Sequence, residues 1–304
     1  MVLLAAGGFD PYAAGRALVS GSVGSPAAFS VTATRTVPLA LAGLGVALAF
    51  RAGVWNIGAE GQIYVGATAG VWIGLLWAGP ASRLPLLAAP IIVLGLIAAS
   101  VAGGLWALAP AYLRGRGVNE VVTTILLNFV AVHLVSFLVS GPLQEGRGIF
   151  QQTDELPRSL QLPMLVPETR VHVGVLVALA AAVALWAVYR WAGIGFRVRA
   201  VGAAPEVAAS AGRMNVLRIG TGAFLVSGTL AGLAGGLEIF GVTYALYSGL
   251  SPGWGYTAIA VAILGGLRPF GVLLAAFFFG ALEAGGAAMQ REAGVPHVWV
   301  SVVV

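Results

Sequence analysis

The chain has 304 residues, of which 59% are hydrophobic and only 9% charged, with a mean hydropathy of +0.94. Soluble chains carry about 25% charged residues, so 16 basic and 11 acidic side chains cannot cover a water-facing surface of this size; the composition is that of an integral membrane protein. Cysteine is absent and all 16 basic residues are arginine, which excludes disulfide scaffolds, thiolate chemistry, a Schiff-base lysine and a P-loop lysine, and hence ATP hydrolysis by this chain.

Met1 to Gly8 is too short and too lightly charged for a signal peptide or a spanning helix. Residues 1–36 read as an extracytoplasmic interfacial segment, with a short helix and a Gly/Ser/Thr-rich loop from Asp10 to Thr36. The first span is expected from Val37 to about Trp55 and the second from about Gln62 to Ala78. Leu84 to Leu113 is long for one crossing and carries Pro85, Pro90 and Pro110, which predicts a tilted or broken helix. Val118 to Val139 forms a fourth span and Val171 to about Trp191 a fifth, separated by the polar residues 141–170. Ile219 to Leu250 is long enough to span and then turn back as a partial segment, followed by Trp254 to Leu267 and Phe270 to about Ala288. Val295 to Val304 resembles the start of a further helix. The fold class is therefore an all-α polytopic bundle of about eight membrane segments, some broken or re-entrant, in one domain spanning residues 1–304.

The arginines orient it. Arg114 and Arg116 lie two spans away from the basic stretch Arg190, Arg197, Arg199, Arg213 and Arg218, so both loops share a side, the cytoplasm by the positive-inside rule. Residues 141–170 carry three arginines against four acids (Glu145, Asp154, Glu155 and Glu168) and fall outside. By parity the turn from Arg51 to Gly61 is cytoplasmic, or else re-entrant. Arginines scattered between apolar runs do not build a nucleic-acid face, so no nucleic acid is expected and the bilayer lipid is the surrounding partner.

Two polar clusters stand out, because an acid or amide inside a membrane is unfavourable unless it has a task. The first is Asn56-Ile57-Gly58-Ala59-Glu60-Gly61-Gln62, where two glycines allow irregular backbone; it is a substrate-path candidate (Asn56, Glu60, Gln62) or a helix–helix turn whose polar groups cap helix ends. The second contains Asn119, Glu120, Thr124 and Asn128, the last three at i, i+4 and i+8. That stripe faces either a water-filled path or a neighbouring helix through interhelical hydrogen bonds. Glu238 and Glu283 are read as structural, pairing with Arg268 or marking a membrane boundary, and His133 as a hydrogen-bonded packing residue. Gly228, Gly232 and Gly236 have the spacing of a tight helix contact. No histidine and carboxylate set has metal-ligand spacing and no Ser/His/Asp arrangement is credible, so no catalytic residue, metal or cofactor is expected.

Residues 193–218 form the most informative loop. Arg199-Ala-Val-Gly202-Ala-Ala-Pro205-Glu206 leads into an Ala-rich run ending at Gly212, a proline start and glycine stop for a short helix. It is a docking knob for a cytoplasmic partner or an amphipathic interfacial helix.

Arg51-Ala-Gly-Val-Trp-Asn-Ile-Gly-Ala-Glu-Gly-Gln-Ile-Tyr-Val-Gly-Ala resembles the signature of ABC-importer permeases of the nucleoside and simple-sugar branch, within the ribose and branched-chain amino acid permease superfamily. Asn119-Glu120-Val-Val-Thr-Thr-Ile-Leu-Leu-Asn128 is similar to a second segment of that branch, and Arg199 to Gly212 to its ATPase-coupling loop. The resemblance runs from about residue 8 to 300. It implies a transport subunit, not an enzyme, in the cell membrane, importing nucleosides or simple sugars by alternating access. It further implies three partners: a cytoplasmic ATP-binding subunit, a second paralogous permease and an extracytoplasmic substrate-binding lipoprotein. By the same resemblance Asn56, Glu60 and Gln62 line or brace the translocation region with Asn128 nearby, and Arg199, Gly202, Pro205 and Glu206 form the coupling element. Two features depart from the pattern. Ala204 stands where members often carry Asn, and members begin with one more spanning helix and end with a completed one. A stand-alone secondary transporter or channel is the alternative from the residues themselves.

Overall fold

The computed structural model describes residues 7–296; most of the apolar stretch 295–304 and the first six residues lie outside them. The described chain is all-helical in its regular structure. Helix α1 (Pro11–Val23) is started by Asp10, whose carboxylate accepts the Tyr12 and Ala13 amides at 2.8 and 3.3 Å. Helix α2 (Pro26–Arg51) follows almost at once, with Ser25 as N-cap accepting the Ala28 amide and Pro26 at the first position. The span expected at Val37 thus begins eleven residues earlier, and 26–36 are not loop. Their hydroxyls explain the difference: Thr36 donates to the Thr32 carbonyl at 2.8 Å, Thr32 to the Ser22 carbonyl at 2.7 Å, and Thr34 lies between the Ser30 and Arg170 carbonyls. A Ser/Thr-rich stretch is therefore compatible with a buried helix.

Helix α3 (Ala59–Leu76) leads through a short helix α4 (Ala78–Arg83) and a 3₁₀ turn at Pro85–Leu87 into α5 (Ala88–Arg114). The expected break occurs at Pro85 alone. Pro90 sits in the first turn of α5, where no amide partner is needed, and the helix continues through Pro110. Helices α6 (Glu120–Val139) and α7 (Gly174–Trp191) are joined by the polar loop, which contains a 3₁₀ turn at Arg158–Leu160. Two short helices, α8 (Gly193–Ala203) and α9 (Pro205–Ser210), precede α10 (Val216–Glu238). A π turn (Ile239–Thr243) ends α10; α11 (Trp254–Leu264) and α12 (Pro269–Glu292) complete the described chain.

Among the described residues six helical segments are long and apolar enough to cross a membrane: α2, α5, α6, α7, α10 with its π turn, and α12. The remaining two of the expected eight fall short for identifiable reasons. Helix α3 opens with the polar Glu60 and Gln62. Helix α11 has 11 residues, about 16 Å or half the ~30 Å hydrocarbon thickness.

Helix α10 is the central strut, packed against α3, α5 and α2. Its contacts are close because small residues meet: a methyl on Gly103 would lie 2.7 Å from the Gly232 Cα, and one on Gly228 the same distance from the Ala107 Cβ. The 228/232/236 spacing read from the sequence lies on this seam. At the end of α10, Tyr244 adopts a left-handed conformation (φ 58°) and the chain turns back toward α11. The 141–172 loop folds over this elbow, with backbone bonds from Thr153 to Leu246, Leu156 to Tyr244 and Leu162 to Phe240, each 2.8 Å. His172 is sealed beneath, its Nδ1 accepting the Gly174 amide at 3.1 Å and its ring against Gly241. The bundle therefore has a loop end, capped by this segment, and an arginine end, where Arg51, Arg114 and α8–α9 lie.

Candidate functional site

The two polar clusters of the sequence, far apart along the chain, meet in one buried network. Asn56 Nδ2 donates to Gln62 Oε1 (3.0 Å) and Ser227 Oγ (2.8 Å), while its Oδ1 accepts from the Gly58 amide (2.9 Å) and Gln62 Nε2 (3.1 Å). Asn128, from α6, accepts the Gly61 amide at 2.8 Å and donates to the Ile57 carbonyl at 2.9 Å. Gly58 and Gly61 are small for a reason: a Cβ there would lie 3.2 Å from Thr124 and 3.0 Å from Asn128 Oδ1. Glu60 reaches the opposite way and accepts the Gly255 amide at 2.7 Å in the first turn of α11, where a carboxylate is favoured by the exposed amides and the helix dipole. The Tyr64 hydroxyl also accepts the Ser251 amide at 3.2 Å. All of these polar side chains are buried and satisfied, so together they brace α3, α6, α10 and the start of α11.

The rest of the second cluster serves its own helix. Asn119 is exposed and caps α6 by accepting the Val121 amide at 2.8 Å, and Glu120 pairs with Arg114 at 3.5 Å. His133, expected to pack, points outward from α6; Ala131 and Val135 mark the inward face, and a residue two positions along is rotated by about 200° from it.

At the loop end a cavity of about 670 Å³ opens among α2, the elbow after α10, the approach to α11 and the loop residues Met164 and Arg170. Arg35 Nη1 and Glu283 Oε2 form an ion pair of 3.3 Å beside it, and the Trp254 indole donates to the same carboxylate oxygen at 3.4 Å. Glu283 therefore pairs with Arg35 rather than with Arg268, which sits exposed at the start of α12. Glu238, at the last residue of α10, lines the cavity and is buried, yet its carboxylate has no hydrogen-bond partner among the described residues. Tyr244 and Tyr247 complete an aromatic wall. Arg35, Glu238 and Glu283 are each alone in their own segment, so the sequence reading passes over Arg35 and takes Glu238 and Glu283 as structural. The signal available was the general one, that an ionisable residue inside a membrane span calls for a function.

At the arginine end α8 is fastened to the bundle. Arg199 donates to the Tyr189 carbonyl, and the Arg51 guanidinium lies 4.8 Å above the Tyr189 ring. Gly202 sits directly on the Arg51 carbonyl, leaving no room for a side chain. Pro205 opens α9 as expected, with Glu206 exposed in its first turn. Ala204 occupies the N-cap and offers no side-chain bond, where an Asn would. The helix ends at Ser210, and the left-handed residue beyond it is Arg213 (φ 47°), so Gly212 is not the left-handed stop that its position predicts.

Residues 29–304 match the family described as branched-chain amino acid transport system / permease component. The chain is 41% identical over 279 residues to the guanosine ABC transporter permease of Bacillus subtilis, covering 90% of this chain and 77% of that protein. It is also 41% identical over 281 residues to the glucose ABC transporter permease of Haloferax volcanii, covering 88% and 72%. A nucleoside ABC transporter permease of Lactococcus lactis is 29% identical over 313 residues, covering 99% and 84%. No solved structure matches the chain.

Proposed function

Because the chain belongs to the permease family of branched-chain amino acid transport systems, we propose that it is the membrane-spanning subunit of an ATP-driven importer of nucleosides, working by alternating access. ATP is hydrolysed by a cytoplasmic partner docked on α8 and α9, a second permease completes the pathway, and an extracytoplasmic lipoprotein delivers substrate to the loop end. This orientation agrees with the arginine distribution.

The observation that carries the mechanism is the span of α2. One end lies under α8 through the contact of Gly202 with Arg51; the other brings Val31, Thr34 and Arg35 to the cavity. A 26-residue helix is about 39 Å long and passes force from the ATPase end to the cavity as one body. The buried amides and Glu60 act as a brace that keeps the half-helix α11 in register with α3 while the surrounding spans move. A simple sugar is the second reading, favoured by the equal identity to the glucose permease.

The chain's lack of cysteine makes a direct test available. Ala209→Cys, on the exposed face of α9, is expected to crosslink to the ATP-binding subunit in membranes and to resist an impermeant thiol reagent added to intact cells. Labelling from outside, or nucleoside uptake by the purified chain in liposomes without an ATPase, would refute the assignment.

A further inference from the structure

The cavity at the loop end contains a feature that neither the brace nor the coupling helices use: a buried carboxylate, Glu238, with no hydrogen-bond donor among the described residues. Burying a carboxylate without a partner is strongly unfavourable, so such a group in a ligand-sized space is held for an external donor. The cavity volume falls in the range of small-molecule sites.

We propose that this cavity is the substrate site, and that Glu238 receives two adjacent hydrogen-bond donors of an uncharged, ring-bearing solute. This assignment rests on the importer function proposed above and deepens it. The charge count supports a neutral ligand: the cavity and its rim hold two guanidinium groups, Arg35 and Arg170, and two carboxylates, Glu238 and Glu283. Arg35 is committed to Glu283 and Arg170 is matched in number by Glu238, so the site carries no net positive charge for the carboxylate of an amino acid or the phosphate of a nucleotide. Trp254 is held by its bond to Glu283, which fixes an indole beside the cavity, with Tyr244 and Tyr247 across the elbow. These are faces on which a planar ring stacks.

The backbone agrees. Glu238 lies at the junction of α10 with a π turn, followed by the left-handed Tyr244; π turns and non-glycine left-handed residues concentrate at working sites. A carboxylate with both oxygens free is matched by either of two donor pairs on a nucleoside, the N1–H and 2-amino group of guanine or the 2′,3′-diol of ribose.

The test uses the chain expressed with its partner subunits and tritiated guanosine as probe. Glu238→Gln keeps the shape and replaces one acceptor by a donor. It is expected to raise the KM for guanosine about 10- to 100-fold, the range for losing bonds to a charged group, with assembly with the ATPase unchanged. An unchanged KM overturns the assignment. A second measurement needs no mutation: 2′,3′-dideoxyinosine, which has neither donor pair, is expected to compete at least ten times more weakly than guanosine, and equal competition overturns the assignment. Dideoxyguanosine and inosine as competitors tell which pair Glu238 accepts. If the wild-type complex takes up glucose and not guanosine, the nucleoside reading fails by itself. Glu238→Gln is then read on glucose, where the same rise in KM sustains the site and an unchanged KM removes it.

Discussion

Asn56 makes four hydrogen bonds with a single amide, and its removal gives the sharpest test of the brace. Asn56→Ala deletes all four and leaves the Gln62 amide, the Gly58 N–H and the Ser227 hydroxyl searching for partners. Bonds between membrane helices average about 0.6 kcal/mol each, which sets a floor near 2.5 kcal/mol for four of them. Partners left dry would add to this at roughly 1–3 kcal/mol per group. Asn56 is fully buried, so a loss of at least about 3 kcal/mol is expected in unfolding titrations with dodecyl sulfate in mixed micelles. The pairing also predicts non-additivity. Both side-chain bonds of Gln62 go to Asn56, so Gln62→Leu is expected to destabilise the wild type yet cost little in the Asn56→Ala background. A coupling of at least 1 kcal/mol is expected, as found for residues sharing one network. A loss below 1 kcal/mol for Asn56→Ala, or additive single effects, would show that these amides are solvated and that no brace exists.

His172, between the 141–170 loop and α7, supplies a pH dependence. Burial pushes its pKa down from 6.5 to about 4, so the folded protein keeps it neutral while the unfolded chain takes up a proton below about 6.5. Stability from this group is complete above pH 6.5 and falls as the pH drops toward 4, by roughly 3 kcal/mol in all. His172→Asn, whose amide oxygen can still accept the Gly174 amide, is expected to flatten the loss between pH 7 and 5 in the same titration; an unchanged slope refutes the assignment. On the α10 seam, Gly232→Val places its Cβ against the Ala99 carbonyl and 2.9 Å from the Gly103 Cα. It is expected to destabilise by about 1–3 kcal/mol or more through overpacking, whereas Gly222→Val on the same helix, with open space around it, is expected to stay within about 0.5 kcal/mol; equal effects at the two positions refute the seam.

Hydropathy and proline placement made most helix positions legible, because a bilayer enforces length and satisfaction of every backbone group. The misplaced start of α2 has a local origin. Residues 26–36 read as loop because Ser and Thr seldom favour helix interiors, but here their hydroxyls return to helix carbonyls, an outlet that composition does not reveal. At the site, Asn56 to Gln62 was conspicuous because three polar side chains fall within seven residues of the chain. Arg35, Glu238 and Glu283 come from α2, α10 and α12, and only the fold brings them to one cavity. That Glu283 meets Arg35 rather than Arg268 depends on the packing of α12 along α2, a tertiary fact without a local signature.

The brace and the cavity are one residue apart at the start of α11. Gly255 gives its amide to Glu60, while Trp254 gives its indole N–H to Glu283. Gly255 has no side chain because the Glu60 backbone occupies the space that a Cβ would need. A half-helix seated this closely on α3 cannot tilt without carrying Trp254 with it, and Trp254 cannot leave Glu283 without freeing the carboxylate that neutralises Arg35. Rearrangement of α3 against α2 at the arginine end is therefore coupled to the charge state of the cavity wall through residues 254 and 255. On the proposed site the conspicuous amides and Glu60 hold the half-helix to α3, and the inconspicuous carboxylates are the groups that meet the solute.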